Sequence, residues 1–457
     1  MPDRPNILFF FTDDQRFDTI AAAGHPDIKT PNLDAMLARG THFSHAHIPG
    51  GTSGAVCMPS RAMLHSGRSL FRLADGGSHI PQEHTTLGEH LRAHGYQTFG
   101  TGKWHNGKNS YSRSFSDGGE IFFGGMADHW NVPAYDYDRT GAFDGTCPLI
   151  VDPFKTKDVA HRGCDHINGG THSTDLLSGA VSDWLEGYDS EDPFFAYVSY
   201  LAPHDPRSMP QQYRDMYDEN ALTLPDNFWQ VHPFDLGVHQ IRDEVLAQYP
   251  RKEQEMREHL ADYYAMITHL DARVGKVLEA LEATGKADST IIVFAGDNGL
   301  AVGQHGLLGK QNLYDHSVRV PLIFAGPGVP EGETRDDFAF LYQIFGSLCD
   351  LAGLPVPESV EGKSLFRNEP LREEVYLAYT QLHRAVRTPQ HKLIRCRVDG
   401  NETVQLFDLE ADPWECENLA ESADHAALRS ELSERMEALS VSTGDRDSSW
   451  GQKFWGE

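Results

Sequence analysis

A mostly parallel α/β sheet flanked by helices, followed by a smaller C-terminal α+β lobe containing an antiparallel sheet, is the fold class this sequence predicts. Three observations predict it. Short apolar runs rich in Val, Ile, Phe and Tyr recur along the first three quarters of the chain. Longer periodic segments, each stopped by a glycine, lie between them. After "PVPESVEGKSLF" the pattern changes to brief strand-like runs joined by turns.

The apolar runs are "NILFFFT" (6–12), "YQTFGTGKWH" (96–105), "FFAYVSYLAPH" (194–204) and "TIIVFAGDNG" (290–299). Runs of this kind, without alternation, read as strands buried on both faces. The helical segments are "TPNLDAMLARG", with Pro31 in the first turn, "TTLGEHLRAHG", "STDLLSGAVSDWLEG" and "EHLADYYAMITHLDARVGKVLEALEATG". Strands alternating with helices build a parallel sheet covered on both sides.

Segments 106–175 and 205–250 are weakly periodic and rich in Gly, Asp, Tyr and Ser in the first case. Irregular stretches of that length read as loops that shape a pocket. "EVYLAY", "HRAVRT", "HKLIRCRV" and "TVQLFDLEADP" then predict an antiparallel meander, and "HAALRSELSERMEALS" a closing helix. The expected division is a domain over 1–370 and a subdomain over 371–457.

Composition narrows the function. The chain has 457 residues, 39 Lys+Arg against 67 Asp+Glu, and a formal net charge of −28. That field opposes a nucleic-acid groove or an anionic membrane surface. No apolar run is long enough to span a bilayer. With Met1 as the native start the expectation is a cytoplasmic protein; with a signal segment removed, a periplasmic or secreted one. Cys57, Cys147, Cys164, Cys349, Cys396 and Cys416 are scattered, with no C-x-x-C pair. Zinc spacing is absent and a disulfide framework is not expected.

In doubly covered sheets ligands sit beyond the carboxyl ends of the strands. All four apolar runs deliver polar residues there. Asp13 and Asp14 close the first, Lys103 and His105 the second, His204 the third, Asp297 and Asn298 the fourth. The Asp13–Asp14 and Asp297–Asn298 pairs offer only oxygen ligands, which suit Ca²⁺ or Mg²⁺ over zinc or copper. Arg61 lies one helical turn after Cys57, and Lys103 and His105 alternate by two, facing one way if extended. Lys310 closes "GQHGLLGK". Three aspartates, a dication and three fixed cations make a locally positive island, apt for a sulfate or phosphate ester.

These residues carry a resemblance. "PNILFFFTDDQ", "CMPSRAMLHSGR", "GYQTFGTGKWH", "LAPH", "FAGDNG" and "GQHGLLGKQNLYD" resemble, in order, the motifs of the formylglycine-dependent type I sulfatases of the alkaline phosphatase superfamily. They span about residues 5–315, and "LFDLEADPWECENLA" resembles the family's closing segment.

The resemblance implies that a formylglycine-generating enzyme reads the Cys57–Arg61 motif and oxidises Cys57 to Cα-formylglycine. One hydroxyl of the hydrated aldehyde attacks sulfur and the other later expels sulfate. It further implies that Asp13, Asp14, Asp297, Asn298 and the modified Cys57 bind one divalent cation, Ca²⁺ preferred and Mg²⁺ the alternative. Arg61 and Lys103 would orient the diol, and His105 would take the second hydroxyl's proton. His204 and Lys310 would hold the sulfate and protonate the leaving oxygen. Arg16 is expected either to contact an anion or to brace its loop, His305 to stand behind the site, and Gln304, Tyr314 and Asp315, which match the family's motif, to support Lys310.

The expected function is hydrolysis of sulfate monoesters, on a sulfated saccharide. The alternatives are an aryl or alkyl sulfatase, and a phosphodiesterase or phosphonate monoester hydrolase of the same superfamily. Trp130, Tyr135 and Tyr137 in "GGMADHWNVPAYDYDRTG" are candidates for stacking on a sugar ring.

Overall fold

The structure is a computed structural model and describes residues 4–152, 154–367 and 372–456. The expected boundary at 370/371 falls on residues outside those described.

An eight-stranded sheet organises the larger part. In spatial order its strands are Glu333–Phe340, Gly40–His47, Leu322–Ala325, Thr290–Gly296, Asn6–Thr12, Phe194–Ser199, Gln97–Lys103 and Asp117–Phe122. Leu322–Ala325 runs antiparallel to both its neighbours; the other pairings are parallel. The central strand Asn6–Thr12 is buried along its whole length, as are both strands beside it. That is why its sequence lacks alternation: helices cover both faces, so neither face can be polar.

The register places the site. Phe11 pairs with Ser199 on one side and Ala295 on the other, and Ser199 pairs with Gly102. Three strands therefore end level, at Asp13, at Lys103 and at Asp297. The Asp13 N–H donates to the Ala202 carbonyl at 3.1 Å and the Asp297 N–H to the Thr12 carbonyl at 2.9 Å, extending the ladder into the loops. Gly102 lies against the neighbouring strand with φ 85°; a Cβ there would stand 1.9 Å from the Ser199 carbonyl oxygen, so only glycine fits.

Helices Pro31–Ala38, Ser173–Glu186 and the 31-residue Glu253–Ala283 pack on one face. Helix Cys57–Ser66 packs on the other, beneath Phe9, Phe11 and Tyr197. Two expectations need correcting. Gly40 is not a helix stop: Arg39 ends the helix, and Gly40 opens a strand where a Cβ would meet the Phe324 carbonyl at 2.1 Å. Segment 106–175 is not only loop, since Asp117–Phe122 forms one edge of the main sheet. Its "DGGEIF" is half-exposed and glycine-rich, which hides the strand period.

The predicted meander is present as Val375–Tyr379, His383–Arg387, His391–Val398 and Asn401–Asp408, each antiparallel to the next. Gly50–Gly51, just before Cys57, adds a short parallel strand to it. Helix Ala426–Ser442 covers its outer face. A buried ion network joins the two sheets. Asp315 takes Lys392 at 2.9 Å, Arg319 at 3.0 Å and Arg387 at 3.3 Å, and Lys392 also pairs with Glu415 at 2.7 Å. This anchors the 310–319 segment that carries Lys310. No helix among the described residues is long and apolar enough to cross a membrane.

Candidate active site

Helix Cys57–Ser66 opens on Cys57 itself, two residues earlier than Pro59, so the thiol sits in its first turn. Proline is tolerated there because the first N–H groups have no intrahelical partner. The positive end of the helix therefore lies at Cys57. Cys57 is 2% exposed.

Two neighbours touch its sulfur. Lys103 Nζ and His105 Nδ1 each lie 3.4 Å from Sγ. They do not get there by simple alternation. The strand ends at Lys103, and His105 turns back with a left-handed φ of 68°. Asp14 has φ 64°. Non-glycine residues held in this region are strained, and such strain collects at functional positions.

Lys103 Nζ also donates to Asp13 Oδ2. Arg61 Nε and Nη2 reach Asp297 Oδ2 at 3.0 and 2.9 Å, and its Nη1 donates to the Lys103 carbonyl and Ser199 Oγ at 2.9 and 2.6 Å. Its guanidinium lies over the Phe11 ring, 5.1 Å from the centroid. Lys310 Nζ donates to Asp14 Oδ1. His204 Nδ1 donates to the Asp205 carbonyl at 2.7 Å, which turns Nε2 toward Asp14 Oδ2 at 3.6 Å. The structure thus brings Asp13, Asp14, Cys57, Arg61, Lys103, His105, His204, Asp297, Asn298 and Lys310 into one cluster.

The electrostatics are uneven. Burial drives the Asp13 carboxyl upward, but Lys103, His204, Arg61 and Lys310 overcome it and hold Asp13 far below the usual carboxylate range. Burial, then the charge of Asp13, pushes Asp297 up to about 7. Burial, then Lys103 and Arg61, pushes His105 down to about 3, so its imidazole is neutral near pH 7. Burial also raises the Cys57 thiol above its ordinary value.

The oxygen set fits a hard cation. Among the described residues, Asp13 Oδ1, Asp14 Oδ2 and Asn298 Oδ1 are buried without a hydrogen-bond partner. One donor atom each from Asp13, Cys57 and Asp297 lie within 4.8 Å of one another, as do donors of Asp13, Asp14 and His204. Buried unpaired carboxylate oxygens cost free energy, and a dication satisfies several at once.

Other expected residues lie elsewhere. Arg16 pairs with Asp18 at 2.5 Å, and its backbone N–H donates to Tyr263 Oη at 2.9 Å, so it braces the turn after Asp14. His305 stacks on Tyr314 and pairs with the Glu415 carbonyl, in the joint between the sheets. Tyr135 packs on Phe123 and Phe143, Tyr137 donates to the Phe115 carbonyl and Trp130 packs on His172. These rings pack their own segment rather than line the cavity above Cys57.

That cavity holds about 250 Å³ and is lined by Gly54, Ala55, Cys57, His105, Gly125, Met126, His204, Ile241, Arg242, Asp243, Lys310 and Gln311. Its rim residues were not foreseen. Met126 and Arg242 come from the two irregular segments, where sequence signals only a pocket wall. Gln311 follows Lys310 directly, where nothing in the spacing distinguishes it from its neighbours.

The chain is similar to known proteins along nearly its whole length. The family described as sulfatase matches residues 5–354, and that described as N-sulphoglucosamine sulphohydrolase, C-terminal, matches 303–442. An ulvan-active sulfatase of Formosa agariphila is 29% identical, over 97% of this chain and 82% of that protein. An N-acetylglucosamine-6-O-sulfatase of Bacteroides thetaiotaomicron is 25% identical, over 97% and 88%. A phosphonate monoester hydrolase of Agrobacterium radiobacter has the same fold, with a TM-score of 0.74 at 24% identity over 96% of each chain.

Proposed function

The chain belongs to the sulfatase family and is a sulfuric-ester hydrolase, and we propose that it removes sulfate from a sulfated carbohydrate by way of an aldehyde made from Cys57. The observation that carries this is the position of Cys57. It opens a buried helix, within reach of Lys103 and His105, beside unpaired carboxylate oxygens. The relatives named for ulvan and for N-acetylglucosamine 6-sulfate support a sugar ester.

Cys57 Sγ stands in for the oxygens that formylglycine would carry. Hydrated formylglycine supplies a nucleophilic hydroxyl and a second hydroxyl whose deprotonation releases sulfate. Asp13, Asp14, Asp297 and Asn298 would hold one dication, Ca²⁺ by its preference for several carboxylate oxygens. Bound there, it supplies Lewis-acid polarisation of the ester oxygens.

The remaining work falls to fixed side chains. Arg61 and Lys103 hold positive charge beside the nucleophile, and both are tied down before substrate arrives. Asp297, with a carboxylate oxygen within 4.8 Å of the Cys57 sulfur, can accept the attacking hydroxyl's proton. His105 is neutral at working pH and can accept the second proton through Nδ1. His204 and Lys310 face the cavity, where they bind the sulfate and protonate the leaving oxygen. The modifying partner reads Cys57, Pro59 and Arg61 in the unfolded chain, since all three are buried once folded.

The test joins mass spectrometry to kinetics. The Cys57 peptide should carry the aldehyde mass and react with a carbonyl probe. Cys57→Ala should abolish sulfate release with unchanged thermal unfolding. Full turnover by that variant, or by protein whose Cys57 is wholly unmodified, would overturn the reading.

A further inference from the structure

We propose that Tyr263, on the helix Glu253–Ala283, is a positioning residue that holds Asp14 in its ligating pose before any cation arrives. This rests on the reading of Asp13, Asp14, Asp297 and Asn298 as a dication site and adds the residue that preorganises it.

Asp14 has to be held. Its φ of 64° lies in a region that residues other than glycine seldom adopt. Such a conformation persists only where the surroundings over-determine it. Two anchors do so. The Asp14 N–H donates to Asp297 Oδ1 at 3.0 Å. The Tyr263 hydroxyl donates to the Asp14 carbonyl at 2.6 Å and accepts from the Arg16 N–H at 2.9 Å. Peptide groups are planar, so fixing the one before Asp14 and the one after it sets both of its dihedrals. The first anchor is itself an expected ligand. The second is not, and it reaches in from 249 residues along the chain.

The pose shows its effect at the carboxylate. Asp14 Oδ1 accepts from Lys310 Nζ and, at 2.6 Å, from Asn298 Nδ2. Asp14 Oδ2 is buried without a hydrogen-bond partner, 3.6 Å from His204 Nε2, and is left open for a cation.

Tyr263 is built into its place. It is fully buried, so water does not compete for its hydroxyl. The guanidinium groups of Arg16 and Arg207 lie over its ring, 5.6 and 5.8 Å from the centroid. Without the hydroxyl, the Asp14 carbonyl and the Arg16 N–H would both lose a buried partner, which backbone groups move to avoid. Asp14 would relax toward an ordinary φ and carry its carboxylate out of the cluster.

The experiment measures Ca²⁺ binding, by calorimetry and by the rise in unfolding temperature, on the full chain stripped with a chelator. Tyr263→Phe should bind Ca²⁺ about 10–100-fold more weakly, the usual effect of removing a group that orients a ligand, and excess Ca²⁺ should restore part of its kcat. Tyr264→Phe is the control. Tyr264 is the next residue and is also buried, but its Oη takes His25 Nε2 at 3.0 Å. That variant should bind Ca²⁺ as wild type does, whatever it loses in stability. In wild type the Arg16 amide hydrogen should exchange slowly with and without Ca²⁺, a readout that needs no variant to fold. Wild-type Ca²⁺ affinity in Tyr263→Phe, equal weakening in both variants, or an Arg16 amide that slows only once Ca²⁺ is added each overturns the proposal. Wild type that takes up neither Ca²⁺ nor Mg²⁺ overturns the dication reading, and the role of Tyr263 with it.

Discussion

The Lys103 ammonium sits between the Asp13 carboxylate and the Cys57 sulfur, 3.4 Å from the latter and fully buried. Burial works against its charge, but Asp13 more than compensates and raises its pKa above the ordinary value. Lys103 is therefore a fixed cation beside the proposed nucleophile position rather than a proton carrier. Replacing it with methionine should lower kcat by about 10²–10³, the usual cost of one preorganised charge-stabilising group. Asp13 would also lose a partner, so the variant should unfold at lower temperature and recover part of the loss on adding Ca²⁺. Steady-state kinetics and thermal unfolding with and without Ca²⁺ check both parts.

Gly125 lies flat against the His105 ring. A Cβ there would approach Cε1 and Nε2 to 3.0 Å, tighter than most real contacts. Gly125→Ala should press the imidazole out of line with position 57 while leaving the fold intact. Small misplacements of catalytic groups cost up to about 10²-fold in rate. The expected outcome is at least tenfold lower kcat with an unchanged unfolding midpoint; wild-type kcat would show that His105 does not depend on its present pose.

Many histidines are buried and neutral. Burial pushes His45, His65, His172 and His305 down to about 3, and His129, His232 and His383 to about 4, from 6.5. Each folded value lies below the unfolded one, so between the two the unfolded chain binds more protons. Their contribution is complete above pH 6.5 and is lost as pH falls from 6.5 toward 4, at up to about 1.4 kcal/mol per pH unit per histidine. Denaturant midpoints measured from pH 8 to 4.5 should be flat at the top and fall steeply below 6.5. A flat profile down to pH 5 would contradict the burial of these rings in solution.

Lys392 serves two carboxylates, Asp315 and Glu415, at the joint between the sheets. Lys392→Met would leave both short of a partner in a fully buried place. Breaking such a pair costs about 3–5 kcal/mol. Because the Asp315 segment also carries Lys310, activity should fall along with stability, although Lys392 is remote from Cys57. Chemical denaturation and kcat/KM on one ester check this together.

The site was legible because each of its residues belongs to a local pattern. Asp13–Asp14, Lys103, His204 and Asp297–Asn298 follow buried strands, and parallel strands must end on one side of the sheet. Cys57 and Arg61 are one helical turn apart. The cluster needed only those periods and the family resemblance. The division of the chain near 370 remains a proposal of the sequence alone.

The sequence by itself determined the mostly parallel sheet, from apolar runs too continuous to face water, and named from short-range spacing and the family resemblance the residues proposed as nucleophile, cations and oxygen ligands. Only the tertiary structure decided which loops close over Cys57. Asp205, Arg242 and Asp243 stand in irregular segments, where Asp and Arg usually mean solvated turns, and Trp130, Tyr135 and Tyr137 looked better suited to a sugar. Long-range packing reversed that: Trp130, Tyr135 and Tyr137 are engaged by His172, by Phe123 and Phe143, and by the Phe115 carbonyl, while Arg242, paired with Asp205, and Asp243 line the cavity. Contacts between segments distant in the chain carry no local period, so no reading of spacing could have placed them.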